Sequence, residues 1–227
     1  MTGEDSTVWT VVRQAAAGDA AAREEFARRY RPAVQAYLAA RWAGRSFARE
    51  VDDATQEVFV DLLRQGGALD RVDSTREGGF RAYLRGVART VALRVETREA
   101  RRHGRGEWHP PDLDALPADD EALSRVFDRA WARGVVREAG ALHERNARAR
   151  GEDAVRRREI LRLRFQEGLP IREIAARWNA DPARVHHEYA RARAEFLEAL
   201  ETVVAAQEGG TPAEVRRECE RLLAHLG

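Results

Sequence analysis

Lysine is absent from this 227-residue chain, and all 39 basic residues are arginine. The planar guanidinium fork suits phosphate oxygens and guanine. A GC-rich genome yields the same bias, and the abundant alanine fits that origin too. Cysteine occurs once, at Cys219, which excludes an internal disulfide framework and a cysteine-based zinc site. Net charge is nearly absent as well. With 39 basic and 38 acidic residues the balance is +1, so any basic footprint has to be local. No uninterrupted apolar run approaches the roughly 20 residues of a membrane span. The opening MTGEDSTVWT is acidic and polar, unlike a secretory signal. These absences lead to the expectation of a soluble, cytoplasmic protein that does not engage membranes. No nucleophile–base pair, metal-ligand set or phosphate-binding glycine loop is visible, so neither catalysis nor a metal or cofactor is expected. Strand patterns and internal repeats are missing too.

Helical periodicity is what the chain does contain. Hydrophobic residues make up 44% and charged residues 34%, which suits several small helical units better than one deep core. Helix is predicted over 8–42, interrupted at Gly18-Asp19 and kinked or restarted at Pro32. Residues 49–64 form an amphipathic helix. Ala54, Val58, Phe59, Leu62 and Leu63 lie on its burying side, and Asp52, Asp53, Gln56 and Glu57 fall towards other faces. A loop with glycine pairs at both ends follows over 66–79. Residues 80–102 read as a long helix with Tyr83, Leu84, Val87, Ala88 and Val91 on its apolar side. From 81 to 105 there are eight arginines and two glutamates, a local charge of +6. From 107 to 121 there are six acids, no arginine and three prolines, a local charge of −6, which reads as an extended acidic linker. Helix returns over 121–148, breaks at Gly151, and resumes at 156–165. Beyond residue 200, Gly209-Gly210 marks a hinge, and Thr211-Pro212-Ala213-Glu214 is a capping box for a last helix.

Residues 161–200 carry the sharpest pattern. Ile171, Ile174, Ala175 and Trp178 are spaced as one face of a short helix. Asn179 tolerates the left-handed backbone of a tight turn. Asp181-Pro182 then supplies a capping side chain and a first-turn proline. In the helix that follows, Val185, Tyr189, Ala192 and Phe196 share a face, leaving Arg184, His186, His187, Glu188, Arg191 and Arg193 for others. This is the pattern of a helix-turn-helix whose second helix enters a DNA major groove. Taken alone it also fits two amphipathic helices of any helical protein.

A second set of residues agrees with the first reading. They are Asp52-Asp53-Ala54-Thr55-Gln56-Glu57-Val58-Phe59, Phe80-Arg81-Ala82-Tyr83-Leu84, Val87-Ala88-Arg89, Arg98 and Arg101-Arg102. In the second half stand Leu161-Arg162-Leu163-Arg164, Glu167-Gly168-Leu169, Glu173-Ile174-Ala175 and Arg191-Ala192-Arg193. In order and spacing these motifs make the chain resemble the extracytoplasmic-function sigma factors, small two-domain members of the bacterial sigma-seventy family.

The resemblance implies an all-α protein of two small helical domains joined by an acidic linker. Residues 1–105 would bind core RNA polymerase and the minus-ten element, and 106–150 would be the acidic linker with a connecting helix. Residues 151–204 would be the helix-turn-helix domain for the minus-thirty-five element, and 205–227 a C-terminal extension helix. Polymerase contacts fall on Asp52, Asp53, Gln56 and Glu57. Minus-ten contacts fall on Arg81, Arg85, Arg89, Thr90, Arg94, Arg98, Arg101 and Arg102, with Thr90 where the family usually has asparagine. Upstream phosphate contacts fall on Arg162, Arg164, Arg172 and Arg191, and base contacts on Arg184, His186, His187 and Glu188. Glu188 stands where a basic residue is common; a glutamate accepts from cytosine N4 but repels phosphate. The implied partners are core RNA polymerase and promoter DNA, with an anti-sigma factor or other regulator as a further candidate. Two other readings stay open. One is a helix-turn-helix regulator acting without polymerase; the other is a helical adaptor whose DNA surface has decayed.

Overall fold

The computed structural model describes residues 8–64, 79–102, 119–208 and 210–226. They form α1 (Val8–Ala16), α2 (Ala20–Arg41), a 3-10 turn (Ser46–Glu50), α3 (Val51–Leu63), α4 (Gly79–Arg102), α5 (Asp119–Arg150), α6 (Glu152–Phe165), α7 (Ile171–Arg177), α8 (Pro182–Glu208) and α9 (Pro212–Ala224). No strand occurs among the described residues, so the all-α expectation holds. None of the described helices is long and apolar enough to cross a membrane. The predicted loop lies outside the described residues except for Gly79. The acidic stretch lies outside them up to residue 118, and its last acids begin α5.

Helix ends follow the local chemistry. Asp19 caps α2 by accepting the Ala22 N–H at 2.7 Å. Pro32 does not restart the helix, and α2 runs through it as one 22-residue element. Pro32 is exposed, so the carbonyl left without a donor one turn earlier faces solvent, where its loss costs least. At the end of α7, Asn179 takes φ +48°. The Ala180 N–H bonds the Ala175 carbonyl at 2.9 Å and the Asn179 N–H bonds the Ala176 carbonyl at 3.1 Å. These two bonds and the left-handed residue make a Schellman turn. Asp181 then accepts from the Ala183 N–H at 3.2 Å and opens α8. The capping box of α9 forms as expected, with the Thr211 N–H donating to Glu214 at 2.7 Å and the Glu214 N–H returning to Thr211 Oγ1 at 3.4 Å.

The chain divides into two units. The first comprises Met1–Gly134, Ala206–Glu208 and Glu220–Gly227, and the second Val135–Ala205 and Gly209–Cys219. The division falls inside α5, so residues 106–150 include a helix whose two halves belong to different units. Unit 1 is built on an aromatic cluster. Phe26 meets Tyr30, Phe59 and Phe80 at centroid separations of 4.8, 5.9 and 5.7 Å. Tyr30 stacks on Trp131 of α5 at 5.1 Å. Such pairs add directional attraction to the burial of large apolar surfaces. Beside them Arg41 forks onto Glu96 at 2.7 and 3.0 Å, and the Trp42 indole N–H joins it at 2.8 Å.

Unit 2 has a smaller apolar centre of Ile160, Leu163, Ile171, Ile174, Ala175 and Val185, with Leu169, Trp178, Ala180 and Tyr189 packed against it. In the second half of α5, Val135, Ala139, His143 and Ala147 are buried and spaced four apart on one face.

Candidate nucleic-acid interface

The core of unit 2 determines which side chains of α8 remain available. Val185 is buried and Tyr189 half-buried, which turns the start of α8 into the α6–α7 core. Arg184, His186 and His187 are thereby directed outward. All three are exposed, and among the described residues they have no hydrogen-bond or ion-pair partner. Arg164 and Arg172 are exposed on α6 and α7. Arg162 is differently placed, because Glu159 and Glu167 hold its guanidinium at 2.7 and 2.8 Å. Hydrogen bonds to those two carboxylates raise its pKa further above the ordinary arginine value. Glu188 is half-buried, 3.6 Å from Arg157 and 3.8 Å from Arg191. Its carboxylate therefore faces arginines of its own domain.

A basic, outward-facing second helix after a tight turn is the arrangement that DNA-reading helix-turn-helix proteins use. Residues 154–196 match the family model of sigma-70, region 4. No curated protein matches the chain. The match covers most of α6, the whole of α7 and the first half of α8, and it supports a promoter-recognition role in transcription initiation. Within the matched segment, the expected upstream-element residues all lie on those three helices. Arg164, Arg172, Arg184, His186, His187 and Arg191 are solvent-exposed there, while Arg162 and Glu188 are engaged internally.

The matched segment is braced by a polar cluster that sequence reasoning missed. Arg157 is 8% exposed and donates through Nε and Nη2 to Glu195 at 3.0 and 2.8 Å. These bonds raise the Arg157 pKa. Burial alone would push the Glu195 carboxyl up, but the Arg157 bonds and charge outweigh it and hold the carboxyl below its usual range. His143 of α5 lies 3.7 Å from Glu195, and its pKa is lowered because burial dominates the attraction of that carboxylate. Arg158 reaches Glu144 at 2.7 Å and Arg150 reaches Glu198 at 3.4 Å. The second half of α5 is thus tied to α6 and α8 by charge. In the run Arg156-Arg157-Arg158, the i, i+3 spacing of Ala154, Arg157, Ile160 and Leu163, all buried on α6, is the signal that could have singled out Arg157.

Unit 1 places the other expected residues on α3 and α4. Asp52, Asp53 and Gln56 are exposed, and Asp52 accepts from Gln35 at 2.9 Å. Glu57 instead bonds Arg94 at 2.8 Å and lies 3.6 Å from Arg98. Arg94 also bonds Asp61 at 2.9 Å. The structure therefore brings one expected polymerase residue against two expected minus-ten residues. Arg81 and Arg85 face Asp128 of α5 at 3.6 and 3.7 Å. Arg102 pairs with Glu99 at 2.7 Å. Arg89 is half-buried, Arg101 is exposed, and Thr90 is exposed with its hydroxyl donating to the Gly86 carbonyl at 3.0 Å. Two acids that answer these arginines, Asp61 and Asp128, carried no recognisable signal in the sequence. The i, i+3 spacing of Glu99 and Arg102 could have revealed that pair.

Proposed function

We propose that this chain is a sigma factor of the extracytoplasmic-function type, a promoter-specificity subunit with no catalysis of its own. One observation carries the reading: a sigma-70 region 4 match on α6–α8 whose last helix exposes Arg184, His186 and His187 without partners among the described residues. In this reading α8 reads the upstream element through those three side chains, and Arg164, Arg172 and Arg191 track phosphates. The acidic face of α3, with Asp52, Asp53 and Gln56 exposed, docks on a basic surface of core RNA polymerase. Helix α4 lies along the minus-ten strand, where a basic track favours single-stranded nucleic acid.

The test is run-off transcription from a promoter selected with the reconstituted holoenzyme, using core polymerase with and without this protein. Initiation that depends on the protein is the expected result. The family match is confined to 154–196, which keeps a second reading in play, a helix-turn-helix regulator that binds duplex DNA without polymerase. Footprinting of duplex DNA by the chain alone, with no effect on initiation by core polymerase, would replace the first reading with the second.

A further inference from the structure

Arg156, Arg157 and Arg158 follow one another on α6, and helical geometry sends each about 100° from the last. They meet three environments. Arg157 turns inward to Glu195, and Arg158 reaches Glu144. Arg156 is exposed, and among the described residues it has no acidic partner. Its guanidinium carbon lies 5.0 Å from the centre of the Trp178 ring. Trp178 is half-buried at the end of α7 and packs against the unit 2 core, so it offers a fixed platform. A guanidinium stacked by its face keeps its edge donors open, and that edge matches two oxygens of a phosphate.

Arg156 lines a surface cavity of about 380 Å³ together with Arg184 and Arg191 of α8. Three carboxylates line the same cavity. Glu188 is held by Arg157 and Arg191, and Asp181 caps α8 through the Ala183 N–H. Asp153, exposed on the first turn of α6, is the acid with no such bond among the described residues.

We infer that Arg156 is a further DNA-backbone contact, pre-oriented by Trp178, which extends the DNA-binding surface from the recognition helix onto the start of α6. The inference rests on the promoter-binding reading of unit 2. The residue contributes a phosphate contact and no base reading, because it stands on α6 and not on the recognition helix α8. It also supplies an upstream phosphate contact on a helix where Arg162 is already bound by Glu159 and Glu167.

The experiment uses the full chain assembled with core polymerase and a fluorescent duplex which that holoenzyme selects from a randomised library. Affinity is measured across a salt series for the unsubstituted protein and for Arg156→Ala, Arg156→Lys, Asp153→Asn and Arg191→Ala. Each lost phosphate contact lowers the slope of log affinity against log salt by about 0.9. Arg156→Ala is expected to show that loss with an unchanged base preference at every position. Arg156→Lys should keep the slope while binding more weakly, since it keeps the charge and loses the stacked fork. Asp153→Asn should bind more tightly. An unchanged slope for Arg156→Ala beside a reduced slope for Arg191→Ala would overturn the assignment of Arg156 alone. A changed base preference for Arg156→Ala would overturn it too. If the unsubstituted holoenzyme selects no duplex, the promoter-binding reading falls and takes the inference with it.

Discussion

Burial strips water from the His143 imidazole and draws its pKa below the ordinary 6.5, against the opposing attraction of Glu195 at 3.7 Å. Arg150 and Arg158 push in the same direction as burial. The folded protein therefore keeps His143 neutral at a pH where the unfolded chain would protonate it. Below about 6.5 the unfolded state binds the extra proton, so stability falls as pH drops from there towards the depressed folded value. Above that window His143 contributes no pH dependence. Urea midpoints measured from about pH 8 to about pH 5 should decline through this range, and His143→Gln should flatten the decline. Glu195 acts lower on the scale. Its folded pKa lies below 4.5, so the stability it contributes is complete above 4.5 and is lost as pH falls further. Its partner can be tested directly. Arg157→Ala leaves Glu195 without its main partner in a site where both side chains are at most 14% exposed, and about 3 kcal/mol of stability should be lost. Arg158→Ala, which breaks a pair about one-third exposed, should cost about 1 kcal/mol or less. Equal effects in denaturant melts would contradict this division.

At the scale of helices, packing redistributes the charge counted along the chain. Along the chain, residues 81–105 carry a local charge of +6. On the folded α4, Arg94 is held by Glu57 and Asp61, Arg102 by Glu99, and Arg81 and Arg85 face Asp128. These acids come from α3, α4 and α5, and only one lies within a helical turn of the arginine it meets. The pairs differ in worth. Arg94 is 48% exposed, so Arg94→Ala should lower stability by no more than about 1 kcal/mol. Arg41 and Glu96 are 17% and 19% exposed and share a bidentate contact with Trp42 alongside. Arg41→Ala should cost about 2 kcal/mol, the range of hydrogen bonds to a partly buried charge. Thermal melts of the two variants would rank them, and an equal shift would show that burial does not set the worth of these two pairs.

For the molecule as a whole, the proposed function divides between the two units, and separate substitutions should divide it experimentally. Asp53→Arg combined with Gln56→Ala changes two exposed side chains of α3, so the fold should survive while capture of core polymerase is lost in a pull-down. Arg184→Ala should leave that capture intact and relax preference at the upstream element, read from binding across a panel of promoter variants. Loss of both activities in either variant would argue against the division. Helix α5 gives the two units a shared element. Phe127 and Trp131 enter the aromatic cluster of unit 1, while Val135, Ala139, His143 and Ala147 are buried residues belonging to unit 2.

Much of this was readable from local pattern. Helical periodicity, the Asp19 and Asp181 caps, the left-handed Asn179 and the Thr211–Glu214 box each depend on residues within about one turn of one another. The all-α class and the helix-turn-helix therefore follow from the residue order. So does the outward direction of Arg184, His186 and His187, because Val185 and Tyr189 claim the inner face. Pro32 shows where local rules stop, since whether it breaks a helix depends on which side faces solvent. The same holds for the charges. Arg156 stacks on Trp178, Arg157 pairs with Glu195, and Glu188 turns to arginines of its own domain, because the consecutive helices α6, α7 and α8 fold against one another. Exposure and ion pairing are properties of that convergence, so no count along the sequence distinguishes an arginine committed to a neighbouring helix from one left for a phosphate.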